Sequence, residues 1–197
     1  MRTADVIDSG AVAAAITSRR SAGRLTDPCP SFQEVADLVA TAVNVPDHGN
    51  LRPWRFIEIR GAARARLGKA MAAATANPRD AAKPQRAPLL LAIVLHERES
   101  PKVPRWEQLA SVACAVSNLS VLLHANRWHS RWRTGALIDA PQLRECLELE
   151  PNETLLGFLY IGTGEPGRGA PPKAPGVHEV LRRLPADEMH DPGEGPA

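Results

Sequence analysis

Apolar residues recur every three or four positions in several parts of the chain, and this period predicts helices. The first helix precedes the Ser-Arg-Arg-Ser run at 18–21. The second begins at a capping box formed by Ser31 and Glu34 and stops before Pro46, because proline cannot continue a helix. Residues 62–76 are rich in alanine and favour another helix by intrinsic propensity.

The longest helical period predicts a helix from Pro104 to about Trp128. One side carries Leu109, Val112, Ala113, Val116, Leu119 and Leu123. The other side is also apolar, with Ala110, Cys114, Ala115, Val121 and Leu122. A helix with so little polar surface must be buried nearly all round, at the centre of the fold or partly against a second subunit.

Short apolar or β-branched runs bounded by glycine or proline predict four strands. They cover residues 54–60, 89–95, 130–134 and 155–161. Asp139 is expected to cap a helix that has Pro141 in its first turn. The polar segment after the first helix is expected only to break it, so the predicted order is ααβαβαβαβ.

Composition indicates a folded protein with one core, since 44% of the 197 residues are apolar. Twenty-four lysines and arginines against 22 acidic residues leave a formal charge of +2, which argues against a nucleic-acid or membrane partner. The N-terminus lacks the pattern of a signal peptide, and no run of about 18 apolar residues predicts a membrane span.

The three cysteines, Cys29, Cys114 and Cys146, are odd in number and far apart. This spacing favours neither a disulfide framework nor a zinc site, and a cytoplasmic protein with cysteines packed in its core is expected. His124 and His129 are five positions apart, the wrong interval for one helical face, so we expect no metal site.

Glycine, proline and charged residues dominate from Gly162 onward, so the expected organisation is a domain over 1–164 and a tail over 165–197. We expect the tail to be partly disordered or packed on a partner subunit. Only Val177, Val180, Leu181 and Leu184 are suited to anchoring a short turn of helix in it.

Two short clusters combine arginine with a hydroxyl residue, a pairing that suits phosphate oxygens. The first is Arg19, Arg20 and Ser21 at the end of a predicted helix, and the second is Trp132, Arg133, Thr134 and Gly135 at the end of a predicted strand. Gly135 would let backbone N–H groups approach an anion. Taken singly, an R-R-S turn is more often two arginines on a solvated helix end, and the alternative for the second cluster is a strand end with a surface arginine.

A third cluster lies in the loop over 46–54, where two prolines and a glycine fix a tight turn. Asn50 offers both a donor and an acceptor to a heterocycle, and His48 can donate from either ring nitrogen. The alternatives are a loop histidine that caps a carbonyl and, for Trp54, simple packing in the core.

The order R-R-S, P-x-x-x-N-x-x-P-W-x-F and W-R-T-G resembles the FMN-dependent NAD(P)H nitroreductase family. Residues 102–108 and 157–162 resemble its compact YdjA-like branch, and the similarity runs from about Ile16 to Thr163. The resemblance implies an α+β fold, a nitroreductase-like α/β/α sandwich with a mostly antiparallel sheet and a long buried central helix. It also implies a homodimer with FMN at the subunit interface.

By position, the resemblance assigns the phosphate end of FMN to Arg19, Arg20, Ser21, Arg133 and Thr134, with Trp132 in the same turn. It assigns the isoalloxazine ring to Asn44, His48 and Asn50 of the other subunit. The implied activity is hydride transfer from NADH or NADPH through the flavin to a small nitroaromatic, quinone or activated alkene. No side-chain nucleophile is expected, and His48 is the candidate proton donor.

This chain departs from the family pattern at the ring end. Gly23 stands where many larger members have a lysine, and Asn44 where the compact branch usually has a basic residue. Asp47, His48 and Arg52 stand where the family more often has serines and a glutamine, although the compact branch does carry the Asp-His pair. Arg20, Arg24 and Arg52 are the candidates for stabilising the reduced flavin. The departures also leave open a flavin-binding redox sensor without turnover. A basic module that binds nucleic acid is the third alternative, which the near-neutral charge disfavours.

Overall fold

The computed structural model describes residues 8–166 and 175–184. Its helices are α1 (Ser9–Ser18), α2 (Phe32–Ala42), α3 (Gly61–Thr75), α4 (Arg105–Ala125), α5 (Pro141–Cys146) and α6 (Val177–Val180). Its strands are β1 (Ala22–Thr26), β2 (Trp54–Arg60), β3 (Leu89–His96), β4 (His129–Arg133) and β5 (Glu153–Pro166). Short 3-10 segments occupy His48–Asn50, Pro78–Arg86 and Ala136–Asp139.

The five strands form one sheet in the order β1-β5-β3-β2, and β4 pairs with the same long strand β5. Every pairing between these strands is antiparallel. Helices cover both faces of the sheet, so the predicted α+β sandwich with a mostly antiparallel sheet is confirmed.

Strand β3 separates the two halves of the core. Leu89, Leu91, Ile93 and Leu95 lie in the cluster that also holds residues of α2 and α4. Leu90, Ala92 and Val94 lie in the cluster that also holds residues of α3 and α5. Because both faces of the strand are buried, its sequence is continuously apolar rather than alternating.

Strand β1 was not predicted, and the order ααβαβαβαβ is wrong at this point. Only Ala22 and Leu25 of its five residues are buried, and a register shift lies between them. Its pairing with the end of β5, rather than any alternation of its own residues, defines the strand.

Helix α4 buries one face against the sheet and leaves the other open in the single chain. The buried residues are Gln108, Ser111, Val112, Ala115, Val116, Leu119 and Leu123. Ala110 and Cys114 are exposed, so the prediction that Cys114 packs in the core is wrong for this chain alone. Among the described helices, α4 alone is long and apolar enough to cross a membrane, and its buried face belongs to the core.

Several element ends differ from prediction. Asp139 closes a 3-10 segment instead of capping α5, whose N-cap is Ala140, while Pro141 is in the first turn as predicted. Helix α4 ends at Ala125, three residues before Trp128. In the tail, α6 and the residues to Leu184 are exposed, and the prediction for 167–174 and 185–197 falls outside the described residues.

Candidate active site

The Arg19-Arg20-Ser21 turn follows directly after α1 and is held by its own side chains. Arg20 Nη1 donates to the carbonyl oxygens of Thr17 at 2.6 Å and Arg19 at 2.8 Å, which satisfies carbonyls at the end of the helix. Ser18 Oγ lies 2.8 Å from Nε2 of His124, near the end of α4. The turn is therefore fixed to both helices.

This turn lies beside the start of β4. Ser21 and Ser130 form an isolated parallel bridge. Arg131 Nη1 donates to the carbonyl of Ala22 at 3.4 Å, across 109 positions of sequence. The Trp132-Arg133-Thr134 motif begins two residues after Ser130, so Arg133 is about 10 Å along the strand from the bridge.

Alternate residues of β4 point to opposite sides of the sheet. Trp132 is 41% exposed on one side. Arg133, on the other, has its guanidinium carbon 5.3 Å from the centre of the Tyr160 ring. Burial, followed by the nearby charge of Arg131, lowers the pKa of Arg133. Its Nε is buried and has no hydrogen-bond partner among the described residues.

After Arg133 the chain leaves the sheet through Thr134 and Gly135, which are both exposed. Gly135 has a φ of 133°, a conformation that L-residues with a Cβ rarely adopt. The backbone here is open to solvent.

The third predicted cluster forms a loop between α2 and β2 with several unusual backbone conformations. Gly49, Asn50 and Arg52 all have positive φ, at 74°, 51° and 49°. Asp47 Oδ2 accepts a hydrogen bond from the backbone N–H of Arg52 at 2.8 Å. Non-glycine residues in this conformation are strained and cluster at functional sites in proteins.

Two side chains of helix α4 form hydrogen bonds to this loop. His48 Nδ1 lies 2.7 Å from Oε2 of Glu107. Ser111, one turn further along α4, donates to the carbonyl of Pro46 at 2.9 Å. Because a carboxylate only accepts, the contact places the proton on Nδ1 of His48, whose side chain is 58% exposed.

Asn44 has a more local role than its position predicts. Its side-chain amide donates to the carbonyls of Ala40 at 3.2 Å and Thr41 at 3.1 Å, at the end of α2. The donor group of Asn44 is thus engaged with its own helix. Trp54 packs against the core, which is the alternative to a ligand role that the sequence offered for it.

Two adjoining cavities lie on the Arg133 side of β4. The larger, of about 480 Å³, is lined by residues of β1, α3, β4 and the segment before β3, among them Arg24, Arg64, Arg86, Arg131 and Arg133. The second, of about 380 Å³, shares Arg86, Arg131, Arg133 and Tyr160 and continues to Thr134 and Gly135. Neither cavity is lined by Arg19, Arg20 or Ser21.

The structure thus brings the first and second predicted clusters to the two ends of β4 and leaves the third, the loop cluster, on α4. Sequence reasoning missed Glu107 as the partner of His48, and it missed Arg64 and Arg86 altogether. Glu107 and Ser111 are separated by one helical turn, which is the signal that both face one loop. Arg64 and Arg86 carry no comparable signal.

Comparisons with known proteins identify the family of this chain. The model of the Nitroreductase family matches residues 16–163. The Escherichia coli (strain K12) protein named "Putative NAD(P)H nitroreductase YdjA" is 35% identical over 156 residues, which are 75% of this chain and 85% of that protein.

Solved structures share the fold. A nitroreductase-like family protein from Bacillus cereus superposes with a TM-score of 0.78 at 20% identity, covering 89% of this chain and 96% of that one. The FMN-dependent nitroreductase NfnB from Mycobacterium smegmatis, solved in complex with NADPH, gives a TM-score of 0.72 at 18% identity, covering 89% and 99%.

Proposed function

This chain belongs to the nitroreductase family, and from that premise we propose that it is an FMN-dependent oxidoreductase. It takes hydride from NADH or NADPH and reduces a nitroaromatic, a quinone or an activated alkene by a ping-pong mechanism. The names of its relatives support the donor and the cofactor, since YdjA is named as an NAD(P)H nitroreductase and NfnB as FMN-dependent.

The observation that carries the proposal is the contact between the Arg19-Arg20-Ser21 turn and β4. The bridge from Ser21 to Ser130 joins the first motif to the strand that carries the second, and the family resemblance assigns both motifs to one phosphate group. The two motifs are far apart in sequence, so a protein that resembled the family only by chance would rarely bring them together in its fold.

The donor set suits FMN. Arginine and serine match phosphate oxygens, and the buried, unpartnered Nε of Arg133 is a donor available to an acceptor. The open backbone at Thr134 and Gly135 admits a flat ring. We propose that Arg19, Arg20, Ser21, Arg133 and Thr134 hold the phosphate end, with Trp132 beside it.

The loop over 46–53 is proposed to line the ring through His48 and Asn50, with Asn44 next to it. When bound, FMN supplies the hydride transfer between NAD(P)H and the acceptor. The residues of the chain supply orientation and protons. His48 is fixed by Glu107 through Nδ1, and in the imidazolium form its other ring nitrogen, Nε2, also carries a proton, which we propose it donates to the acceptor.

We further propose that two copies pair through the open faces of α1 and α4. Val12 is 48% and Ile16 57% exposed on α1, and Trp106 is 68% exposed at the start of α4. Together with Ala110 and Cys114 they leave an apolar surface of the kind that marks a protein interface. In such a homodimer, the loop of one subunit would complete the flavin site of the other.

The three cysteines are free thiols, which suits a reducing compartment. We therefore propose that the protein acts in the cytoplasm.

Spectroscopy of the purified protein tests the proposal. We expect a yellow protein whose flavin absorbance bleaches under anaerobic NADH or NADPH and returns on adding a nitroaromatic or a quinone. A yellow protein that neither donor bleaches would support the redox sensor instead. A colourless protein that cannot be reconstituted with FMN would overturn both.

A further inference from the structure

The cavity lined by Arg24, Arg64, Arg86, Arg131 and Arg133, hereafter the arginine cavity, has a composition that the proposed flavin site does not require. Five of its 13 lining residues are arginines and one, Asp27, is acidic. The arginines come from four segments, namely β1, α3, the 3-10 segment Pro78–Arg86 and β4, so folding gathers these charges.

The framework around the cavity holds two of the arginines in place. Arg64 reaches across from α3 and donates to the carbonyl of Ala87 at 2.7 Å. Arg131 is held through the carbonyl of Ala22 at 3.4 Å. Arg24 and Arg86 are exposed at the rim.

The positive charges are not neutralised within the protein. Among the side chains that the structure describes, no carboxylate lies within 4.0 Å of these five guanidinium groups. Arg64 and Arg133 each bury an Nε that has no partner among those residues. Gathering like charges and leaving buried donors unpaired both cost stability, which a bound anion would offset.

We propose that four arginines of the arginine cavity, Arg24, Arg64, Arg86 and Arg131, bind the phosphate group of a small molecule at a site separate from the phosphate of FMN, to which Arg133 is assigned. Arginine forks match phosphate oxygens in shape and charge, and a cavity of about 480 Å³ holds one or two phosphate groups with room to spare. The anion site does not depend on the proposed function, but one possible source of the phosphate does.

The position of the cavity argues for a separate site. Of the residues proposed to hold the flavin phosphate, Arg133 alone lines this cavity. The Arg19-Arg20-Ser21 turn does not line the cavity. The second cavity, however, connects the shared arginines with Thr134 and Gly135 at the proposed flavin turn.

Two sources of the phosphate fit this position. One is the 2′-phosphate of NADPH, which would be bound within reach of the flavin and would give a preference over NADH. This source rests on the proposed function. The other is a free phosphorylated compound or pyrophosphate that binds independently of turnover.

Pyrophosphate is the probe, titrated by calorimetry into the protein as purified. Arg86→Ala and Arg24→Ala remove exposed arginines of the cavity, and Arg79→Ala removes an exposed arginine with the same charge in the same 3-10 segment as Arg86. We expect the dissociation constant to rise roughly tenfold or more in Arg86→Ala and Arg24→Ala. It should stay unchanged in Arg79→Ala.

Steady-state kinetics of the FMN-loaded protein separates the two sources. If the anion is the 2′-phosphate, Arg86→Ala raises the KM for NADPH and leaves that for NADH unchanged, and pyrophosphate competes with NADPH. If it is a free phosphate compound, both KM values remain as in the wild type while pyrophosphate binding is lost.

Three results would overturn the proposal: no heat of pyrophosphate binding at millimolar concentration, equal affinity in all three variants, or loss of FMN fluorescence from the protein in Arg86→Ala. The last result would make the cavity the flavin phosphate site. A colourless protein that still binds pyrophosphate through Arg86 would refute the proposed function and leave this site standing.

Discussion

His48 and Glu107 are 59 positions apart in sequence, yet Nδ1 of the histidine lies 2.7 Å from the glutamate carboxylate. The contact joins the loop after α2 to the first turn of α4. It fixes the orientation of the imidazole and leaves Nε2 as the nitrogen directed away from the helix. A loop histidine thereby acquires a defined geometry.

Replacing His48 with alanine should slow the reduction of acceptors that take up protons. A positioned general acid contributes about 100-fold or more, so kcat for a nitroaromatic or a quinone should fall by about that factor. Glu107→Gln should give a smaller fall, because an amide still accepts from Nδ1 but carries no charge. Rapid-mixing kinetics of the reoxidation step measures both effects.

Ferricyanide provides the control for these variants, since it accepts single electrons and no proton. Both variants should reduce it at the wild-type rate. If His48→Ala retains full turnover on the quinone, the histidine is not the proton donor. If it loses ferricyanide activity as well, the side chain serves flavin binding instead.

The Arg55–Glu153 ion pair should make stability depend on pH. The Glu153 side chain is only 1% exposed, and it accepts from Arg55 Nε at 2.6 Å and Nη2 at 2.5 Å. Burial acts to raise the pKa of Glu153, but the hydrogen bonds from Arg55 and from the Glu150 backbone outweigh it, so the pKa is lowered from 4.5. The stabilisation is therefore present above pH 4.5 and is lost as the pH falls below that value.

Glu153→Gln should lower the free energy of unfolding at neutral pH by roughly 2 kcal/mol, less than for a fully buried pair because Arg55 is partly exposed. The difference from the wild type should shrink as the pH falls below 4.5. Urea titrations at several pH values measure it. Glu148→Gln, at an 80% exposed glutamate 4.0 Å from Arg66, is the matched control and should change little. If the free energies of unfolding of Glu153→Gln and the wild type differ by the same amount at all pH values, the pH dependence does not come from Glu153.

Gly68 in α3 should not tolerate alanine. A Cβ at this position would lie 2.3 Å from the carbonyl oxygen of Ala81 in the following 3-10 segment. Overpacking of this kind costs about 1 to 3 kcal/mol, which exceeds the gain of about 1 kcal/mol from helix propensity. Thermal unfolding should show a lower Tm for Gly68→Ala and an unchanged or higher Tm for Lys69→Ala, which is exposed. A higher Tm for Gly68→Ala would show that α3 and the following 3-10 segment move apart to accommodate the added methyl group.

The proposed dimer predicts that a charge on the open face of α4 separates the subunits. Cys114→Arg should convert a dimer to a monomer in light scattering after gel filtration, and the bound flavin should be lost with it. Ala73→Arg places the same charge on an exposed position of α3 and should do neither. A wild-type protein that is monomeric and yellow would refute the proposed interface but not the proposed binding of flavin.

Local signals were sufficient to predict most elements. The Ser31–Glu34 capping box is formed as predicted, and residues 54–60 form β2 with the predicted bounds. Strand β1 was missed because its existence depends on pairing with a strand more than 130 positions away. Patterns in a single sequence carry no information about such long-range pairing.

The candidate site divides in the same way. Arg19, Arg20, Ser21 and the motif at Arg133 were recognisable as short clusters, and the structure puts them at the two ends of β4. Arg64 and Arg86 were not recognisable, since each is an ordinary charged residue in its own segment. Only the fold makes them neighbours of Arg133.

Helix α4 sets the tolerance of this protein to changes in chain length. Glu107 at one end holds the loop, and His124 at the other holds the end of α1, about 25 Å away along the helix axis. One inserted residue would rotate one end against the other by about 100° and break one of these contacts. Viable insertions and deletions should therefore fall in the connecting loops, and relatives that keep both contacts should keep the helical distance between them.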